Sequence, residues 1–305
     1  MGVSVDDALP AAVGEIIGRA LKEDLNETGD ITSGAVLSPS QWARAVIRAK
    51  EKGIVSGTYT LGPLYRRIDP AVEVTLEVDD ACEVEPGRDV ATVLGPVGSI
   101  LAGERIGLNL VQHLSGIATR TATMVKAVAG THARILDTRK TTPGMRLLEK
   151  RAVVDGGGVN HRFGLFDMIL LKDTHVTACG GVVPALRKAA AARRGVPIEI
   201  EVGNRQQFES ALALRPDRIM LDNMSLEEMR ACVGIRNAGG GSTLLEASGA
   251  ISEETVREVA STGVDYISAG CLTHSVRAVD IHLIIETTGS ESRIRPGAPE
   301  IEPAS

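Results

Sequence analysis

The sequence predicts an α/β protein, a small α+β domain followed by a β/α barrel. Two features of the pattern say so. From residue 43 to 97, short β-type runs are separated by Gly and Pro turns, with one helical piece among them. After Gly130, six short apolar runs alternate with helical segments, the rhythm of parallel strands joined by crossover helices. That many units favour a barrel over a short open sheet. With 305 residues the chain has room for one large domain or two ordinary ones.

Taken in order, residues 1–25 predict a helix, because Ala12, Val13, Ile16, Ile17, Ala20 and Leu21 recur at helical spacing. Asn26, Gly29 and Asp30 then break it. Acidic and turn residues cluster over 24–32 for no evident local reason. Strands are expected at 45–49, 54–56, 72–78 and 90–93, and a helix at 61–68. Residues 99–129 predict one long helix, or two in succession, with Leu101, Ile106, Leu110, Val111, Leu114, Ile117, Val125 and Val128 on its apolar face. Gly116 in its middle weakens that expectation. Arg105 falls in its first turns, where a cation opposes the helix dipole. It therefore either has a partner elsewhere or is plain surface, and surface is the simpler reading.

The six later strands are expected at 133–136, 168–171, 198–202, 218–221, 243–247 and 266–269. Helices fill the gaps at 144–154, 183–194, 205–214, 226–237 and 253–262, with Ser225 and Ser252 as N-caps. The tail at 288–305 has almost no apolar content and is expected to be disordered.

Composition excludes several functions. Aromatic residues are 2% and the net charge is -6, which leaves neither stacking platform nor basic field for a nucleic acid. No apolar run approaches the length of a membrane span. The opening MGVSVDDALP lacks the regions of a signal peptide, so cytoplasm is the default. Four scattered cysteines form no CxxC pair, which argues against zinc and disulfide frameworks.

Barrel enzymes build their sites at the carboxyl ends of the strands. Here the first two strands end in bases, Arg139 with Lys140 and then Lys172. The next two end in acids, Glu201 and Asp222. The fifth ends with Glu246, Ser248 and Gly249, and the sixth with Gly270. The triplet Gly156–Gly158 leads to His161 and Arg162, where the backbone can pass close to a ligand. Charges converging in this way are either solvated surface or a site for a substrate with several negative charges, since a core does not accept them unpaired. Arginine offers a fork for carboxylate or phosphate. Paired carboxylates can hold Mg²⁺ or ribose hydroxyls. Small residues after the last two strands expose backbone N–H groups to a phosphate. A lone acid at a strand end is more often a cap or an ion-pair partner; the ordered set points to a sugar-phosphate polyanion with a metal. His175 is an outer group of the site or none at all, and Cys271 is read as packing.

Seven segments carry a family resemblance. They are ERIGLNLVQHLSGIAT (104–119), DTRKTTPGMRLLEKRAV (137–153), GGGVNHRFGLFDMILLKDTH (156–175), EIEV (199–202), IMLDNMS (219–225), LEASGAIS (245–252) and GVDYISAGCLTHS (263–275). In these the chain resembles the quinolinate phosphoribosyltransferases, decarboxylating enzymes of NAD biosynthesis. Departures are small. Thr174 replaces the usual Asn, Gly203 stands where Asp is common, and Ala247 and Ala250 vary the phosphate loop.

The resemblance implies an N-terminal α/β sandwich-like domain at 1–115, rejoined by the segment 275–287, and an incomplete barrel at 116–274. It implies a homodimer, with assembly beyond that left open, in which Arg105 reaches the neighbouring subunit's site. Quinolinate would be held by Arg105, Arg139, His161, Arg162 and Lys172. Phosphoribosyl pyrophosphate with Mg²⁺ would meet Lys140, Lys172, Glu201 and Asp222, the catalytic set. The metal would meet Glu201 and Asp222 mainly through pyrophosphate and water. Thr138 would face substrate. The 5-phosphate would lie on Ser248, Gly249, Ala250, Ala269, Gly270 and Cys271. The products would be nicotinate mononucleotide, pyrophosphate and CO₂. The rivals are an enzyme of the same fold acting on another aromatic acid, and a binding module without activity.

Overall fold

A computed structural model of the chain describes residues 5–193 and 195–286. The tail expected at 288–305 lies outside the described residues. The fold divides into two units. One holds Leu9–Thr119 with the described residues from Arg277 on; the other holds Arg120–Val276 with the residues up to Ala8.

In the first unit, α1 (Val5–Leu25) buries Leu9, Val13 and Ile17, one turn apart on a single face. Gly29, at φ 75°, closes the helix with its N–H on Leu25 O. Asp30 then accepts from Thr32 N and Ser33 N, 3.0 Å each, and caps α2 (Ile31–Val36). That helix was not expected, and it supplies the local reason for the cluster at 24–32. Next come β1 (Trp42–Ala49), β2 (Gly53–Ile54), α3 (Leu61–Ile68), β3 (Glu73–Leu76), β4 (Glu83–Val84) and β5 (Asp89–Pro96). The main sheet places β1 between β5 and the last described strand, Ile281–Glu286, with β3 outside β5. Ala45, Ile47, Val93, Leu61, Tyr65 and Ile100 bury together as its core.

The helix α4 (Val97–Ala127) runs unbroken through Gly116. Gly103 and Gly107 serve close packing: a Cβ would come within 2.5 Å of the Tyr65 ring at Gly103 and 3.1 Å of Leu61 at Gly107. Because the helix begins at Val97, Arg105 lies two turns inside it, beyond the reach of the helix-end dipole. Its exposed side chain sits 4.0 Å from Glu104.

The second unit alternates as expected: β6 (Arg134–Leu136), α5 (Arg146–Asp155), β7 (Ile169–Leu171), α6 (Asp173–Ala178), α7 (Val182–Ala192), β8 (Ile198–Val202), α8 (Arg205–Leu212), β9 (Arg218–Asp222), α9 (Leu226–Ala238), β10 (Leu244–Ser248), α10 (Val256–Ala260), β11 (Tyr266–Ser268) and α11 (Cys271–His274). The short helices α6 and α11 were not foreseen. Six parallel strands pair in the order β6-β11-β10-β9-β8-β7, so β6 and β7 are edges that do not pair with each other. The free edge of β6 is met instead by a single residue, Val159, which bridges to Leu136.

Ser225 caps α9 with a reciprocal Glu228 bond. Ser252, however, is not an N-cap. α10 begins only at Val256, and Ser252 N donates to Thr255 Oγ1 at 3.0 Å in the turn before it. The last described strand, Ile281–Glu286, is β12.

Candidate active site

Side chains at alternate strand positions share a face. Register places Ser248 beside Asp222 and Glu246 beside Met220, and Glu201 is paired with Met220 across the next ladder. These residues line one cavity of about 870 Å³. Thr138, Arg139, Lys140, His161, Arg162, Lys172, Glu201, Asp222, Ser248, Gly249, Ala250, Gly270 and Cys271 all line it. Ala269 does not; it is buried, and its N–H donates to Leu136 O at 3.0 Å. Arg105 belongs to the other unit.

One wall of the cavity is basic. Arg139 keeps its Nε buried without a hydrogen-bond partner among the described residues. Arg162 is 8% exposed, and its Nη1 donates to a carbonyl, Met168 O, rather than to a carboxylate. Burial, and then the charge of Arg139, push the Arg162 guanidinium down from its ordinary value. Lys172 sits 3.0 Å from Glu201 Oε2. His175 accepts from Lys172 N at 3.0 Å, so its role here is to close the first turn of α6. Gly203 donates its N–H to Gln207 Oε1 at 2.9 Å.

The opposite wall is a turn. Gly249 and Ala250 take φ values of 99° and 44°, and Asn223 N donates to Ser248 O at 2.9 Å. Any Cβ at Gly249 would run into the Asn223 side chain. Asn223 Nδ2 also donates to Asp222, at 2.9 Å. Asn223, Ile251, Ser268 and His274 line the cavity as well and were not singled out in the sequence.

At the floor of the cavity lies a buried charge cluster, in which the sequence had singled out His161 and Glu246 but not Glu199 or Arg218. His161 Nε2 is 3.0 Å from Glu199 and 3.5 Å from Glu246, and Arg218 Nη1 is 2.7 Å from Glu246. Burial pushes the imidazole down, but contact with Glu199 and then Glu246 carries it up to about 9. Burial pushes Glu246 up, and His161 and Arg218 outweigh that, leaving it below its ordinary value. Glu199 is pushed up by burial and by Glu246. These three residues could also surround a metal. Yet imidazolium and guanidinium already supply two positive charges to two carboxylates, so the cluster balances without one. The available signal was the period of β8, which puts Glu199 on the same face as Glu201.

A parallel-stranded α/β unit whose strand ends gather bases, acids and a glycine turn around one cavity has the arrangement of an α/β enzyme. Residues 117–284 match the quinolinate phosphoribosyl transferase C-terminal domain and residues 30–115 the corresponding N-terminal domain, so the chain belongs to the quinolinate phosphoribosyl transferase family. It is 42% identical over 276 residues to a nicotinate-nucleotide pyrophosphorylase [carboxylating] of Mycobacterium leprae, covering 89% of this chain and 96% of that protein. It is 40% identical over 279 residues to a probable enzyme of the same name from Bacillus subtilis, covering 91% and 94%. The solved structure of the nicotinate-nucleotide pyrophosphorylase from Francisella tularensis superposes with a TM-score of 0.85 at 36% identity, over 93% of this chain and 98% of that one.

Proposed function

We propose that this chain transfers phosphoribosyl from phosphoribosyl pyrophosphate to quinolinate with decarboxylation, giving nicotinate mononucleotide, pyrophosphate and CO₂. The observation that carries this is the basic wall. Arg139 and Arg162 both line the cavity, and among the described residues no carboxylate is bonded to either guanidinium; the turn at Ser248–Ala250 lines the same cavity. Guanidiniums not already committed to a carboxylate suit a dicarboxylate, and the backbone N–H groups of a glycine turn suit a phosphate.

The charges suggest the course of the reaction. Lys172 and Lys140 stabilise the departing pyrophosphate electrostatically. Glu201 and Asp222 orient the ribose hydroxyls and steady positive charge developing at the anomeric carbon. The pyridine nitrogen attacks that carbon. Once alkylated, the ring nitrogen is cationic; its charge stabilises the electron pair left on the adjacent ring carbon as the carboxylate leaves as CO₂, and that carbon then takes up a proton from water. No covalent enzyme nucleophile is required.

Mg²⁺ fits this donor set in a limited way. Glu201 is engaged by Lys172, and Asp222 by Asn223, so both suit an ion that arrives on pyrophosphate and is met through water. When bound, the ion neutralises charge on the leaving group. We further place the enzyme in the cytoplasm, as a homodimer in which the partner's Arg105 completes the quinolinate site. Free cysteines suit a reducing compartment, and no described helix is long and apolar enough to cross a membrane.

The test is to mix purified protein with quinolinate, phosphoribosyl pyrophosphate and Mg²⁺ and look for nicotinate mononucleotide. Nicotinate in place of quinolinate should give none, and EDTA should stop the reaction. Product from nicotinate, or none from quinolinate, overturns the assignment.

A further inference from the structure

We propose that the buried pair Asp137–Lys150 is a positioning device that sets the spacing between the Arg139 and Arg162 halves of the dicarboxylate receptor. The proposal rests on the function given above.

Arg139 follows β6, and Arg162 precedes β7. These strands are the two edges of the sheet and do not pair with each other. No ladder of backbone hydrogen bonds therefore fixes one arginine relative to the other. Two backbone hydrogen bonds at Val159, its N–H to Ile135 O at 2.8 Å and Asp137 N to its carbonyl at 3.3 Å, tie the start of the Arg162 loop to β6. Residues 160–162 lie beyond that bridge, and a further tie must hold them.

Asp137 and Lys150 are positioned to do so. Both side chains are fully buried, and Lys150 Nζ bonds Asp137 Oδ1. Lys150 Nζ also donates to His161 O at 2.9 Å. Asp137 accepts from His161 N at 2.9 Å and from Asn160 Nδ2 at 2.6 Å. Asn160 Nδ2 reaches back to Lys150 O at 2.9 Å. The ammonium lies 5.0 Å from the centre of the Phe163 ring. Thus the end of β6, helix α5 and residues 160–163 are tied at one point. A second tie runs closer to the rim, where Arg146 donates to Thr141 Oγ1 at 3.0 Å and to Phe163 O at 2.9 Å.

Stability is a poor reason for such a pair. A buried ion pair often gives no gain over apolar residues of the same volume. Burial pushes the Asp137 carboxyl up and the Lys150 ammonium down, and each is opposed by the other's charge. What the pair supplies and apolar residues do not is direction. It hydrogen-bonds the backbone on both sides of His161 and so fixes the path of the chain into Arg162. A ligand with two carboxylates at fixed spacing is sensitive to that path, whereas the phosphate turn on β10 is anchored separately.

The test is the double variant Asp137→Asn/Lys150→Met, which leaves no unpaired charge. Its melting temperature should stay within about 5 °C of wild type, since removing both charges together is often neutral. The KM for quinolinate should rise on the order of tenfold or more, with KM for phosphoribosyl pyrophosphate changed by less than about threefold. A folded double variant with the wild-type quinolinate KM, or with both KM values raised alike, overturns the proposal. Should the double variant not fold, Asn160→Ala decides, because it cuts one tie and leaves the ion pair. It should raise the quinolinate KM alone, and an unchanged value overturns the proposal. Wild-type protein is assayed first. If it makes no nicotinate mononucleotide, the functional assignment falls and this proposal with it. If it is active and the variants match it, only the positioning role falls.

Discussion

His161 Nε2 lies 3.0 Å from Glu199 Oε2 at the floor of the cavity, with both side chains buried. Glu246 on β10 and Arg218 on β9 are the other charges facing this cluster. The ring's Nδ1 accepts the Arg162 amide at 2.6 Å, a bond that the doubly protonated ring gives up. Two carboxylates outweigh one amide. Carried up to about 9, the ring's contribution to stability is complete below about pH 6.5 and lost as pH rises through 9. The stability advantage of wild type over His161→Gln should therefore shrink between pH 6 and 10, by on the order of 3 kcal/mol. Thermal melts of both proteins at the two pH values read this. An equal gap at both means a neutral ring.

Lys172→Ala should lower kcat/KM about a hundredfold, on the order of 3 kcal/mol, for loss of a charge that the proposed reaction puts between the two substrates. Its side chain is 50% exposed, so the melting temperature should hardly move. Lys172→Arg should not restore activity, because a planar fork does not replace a point charge. Steady-state kinetics with both substrates decide; near-normal kcat/KM in the Ala variant would remove Lys172 from the site.

Mixing two inactive variants tests the proposed sharing of Arg105. Arg105→Ala and Glu201→Ala should each be inactive, yet partly recover activity together once subunits exchange. A heterodimer then carries one intact composite site and one doubly damaged site. Exchange shown by mass spectrometry without any activity would place Arg105 outside the partner's site.

Gly249→Ala should strike the phosphate side alone. The left-handed backbone there costs an L-residue about 1–2 kcal/mol, and the new Cβ meets Asn223. The expected result is a KM for phosphoribosyl pyrophosphate raised about tenfold or more, with quinolinate binding by calorimetry within about threefold of wild type. Equal loss of both would mean that the turn supports the whole cavity.

Much of the second unit was legible because its runs are short, apolar and well separated. β8 is expected at 198–202 and observed at Ile198–Val202. The one-turn helices α6 and α11 were not legible, since four to six residues are too few to show a period. α2 was hidden in the same way, although its cap Asp30 stood in plain view. Strand-end position located the cavity's charged lining well. It could not show Asp137 and Lys150, because their partners, each other, Asn160 and the His161 backbone, lie 11 to 24 positions away in sequence with no periodic spacing. Nor could it show that Arg218, thirteen positions from Arg205 on another element, turns inward against Glu246 and the Tyr266 ring.

The pairing of β12 with β1 sets Arg44 against Glu286, across almost the whole chain. On a ribosome, β1 is made early and must wait with one edge bare until residue 286 emerges. The unit from Arg120 to Val276 is finished in the meantime and can fold within its own contacts. Contacts so far apart in sequence form slowly, and an open edge is a place for the wrong strand to add. The vulnerable interval in this protein's life is therefore synthesis itself. A chain whose residues 281–286 had yet to emerge would display a completed second unit together with an unsealed sheet, a substrate for chaperones or proteases.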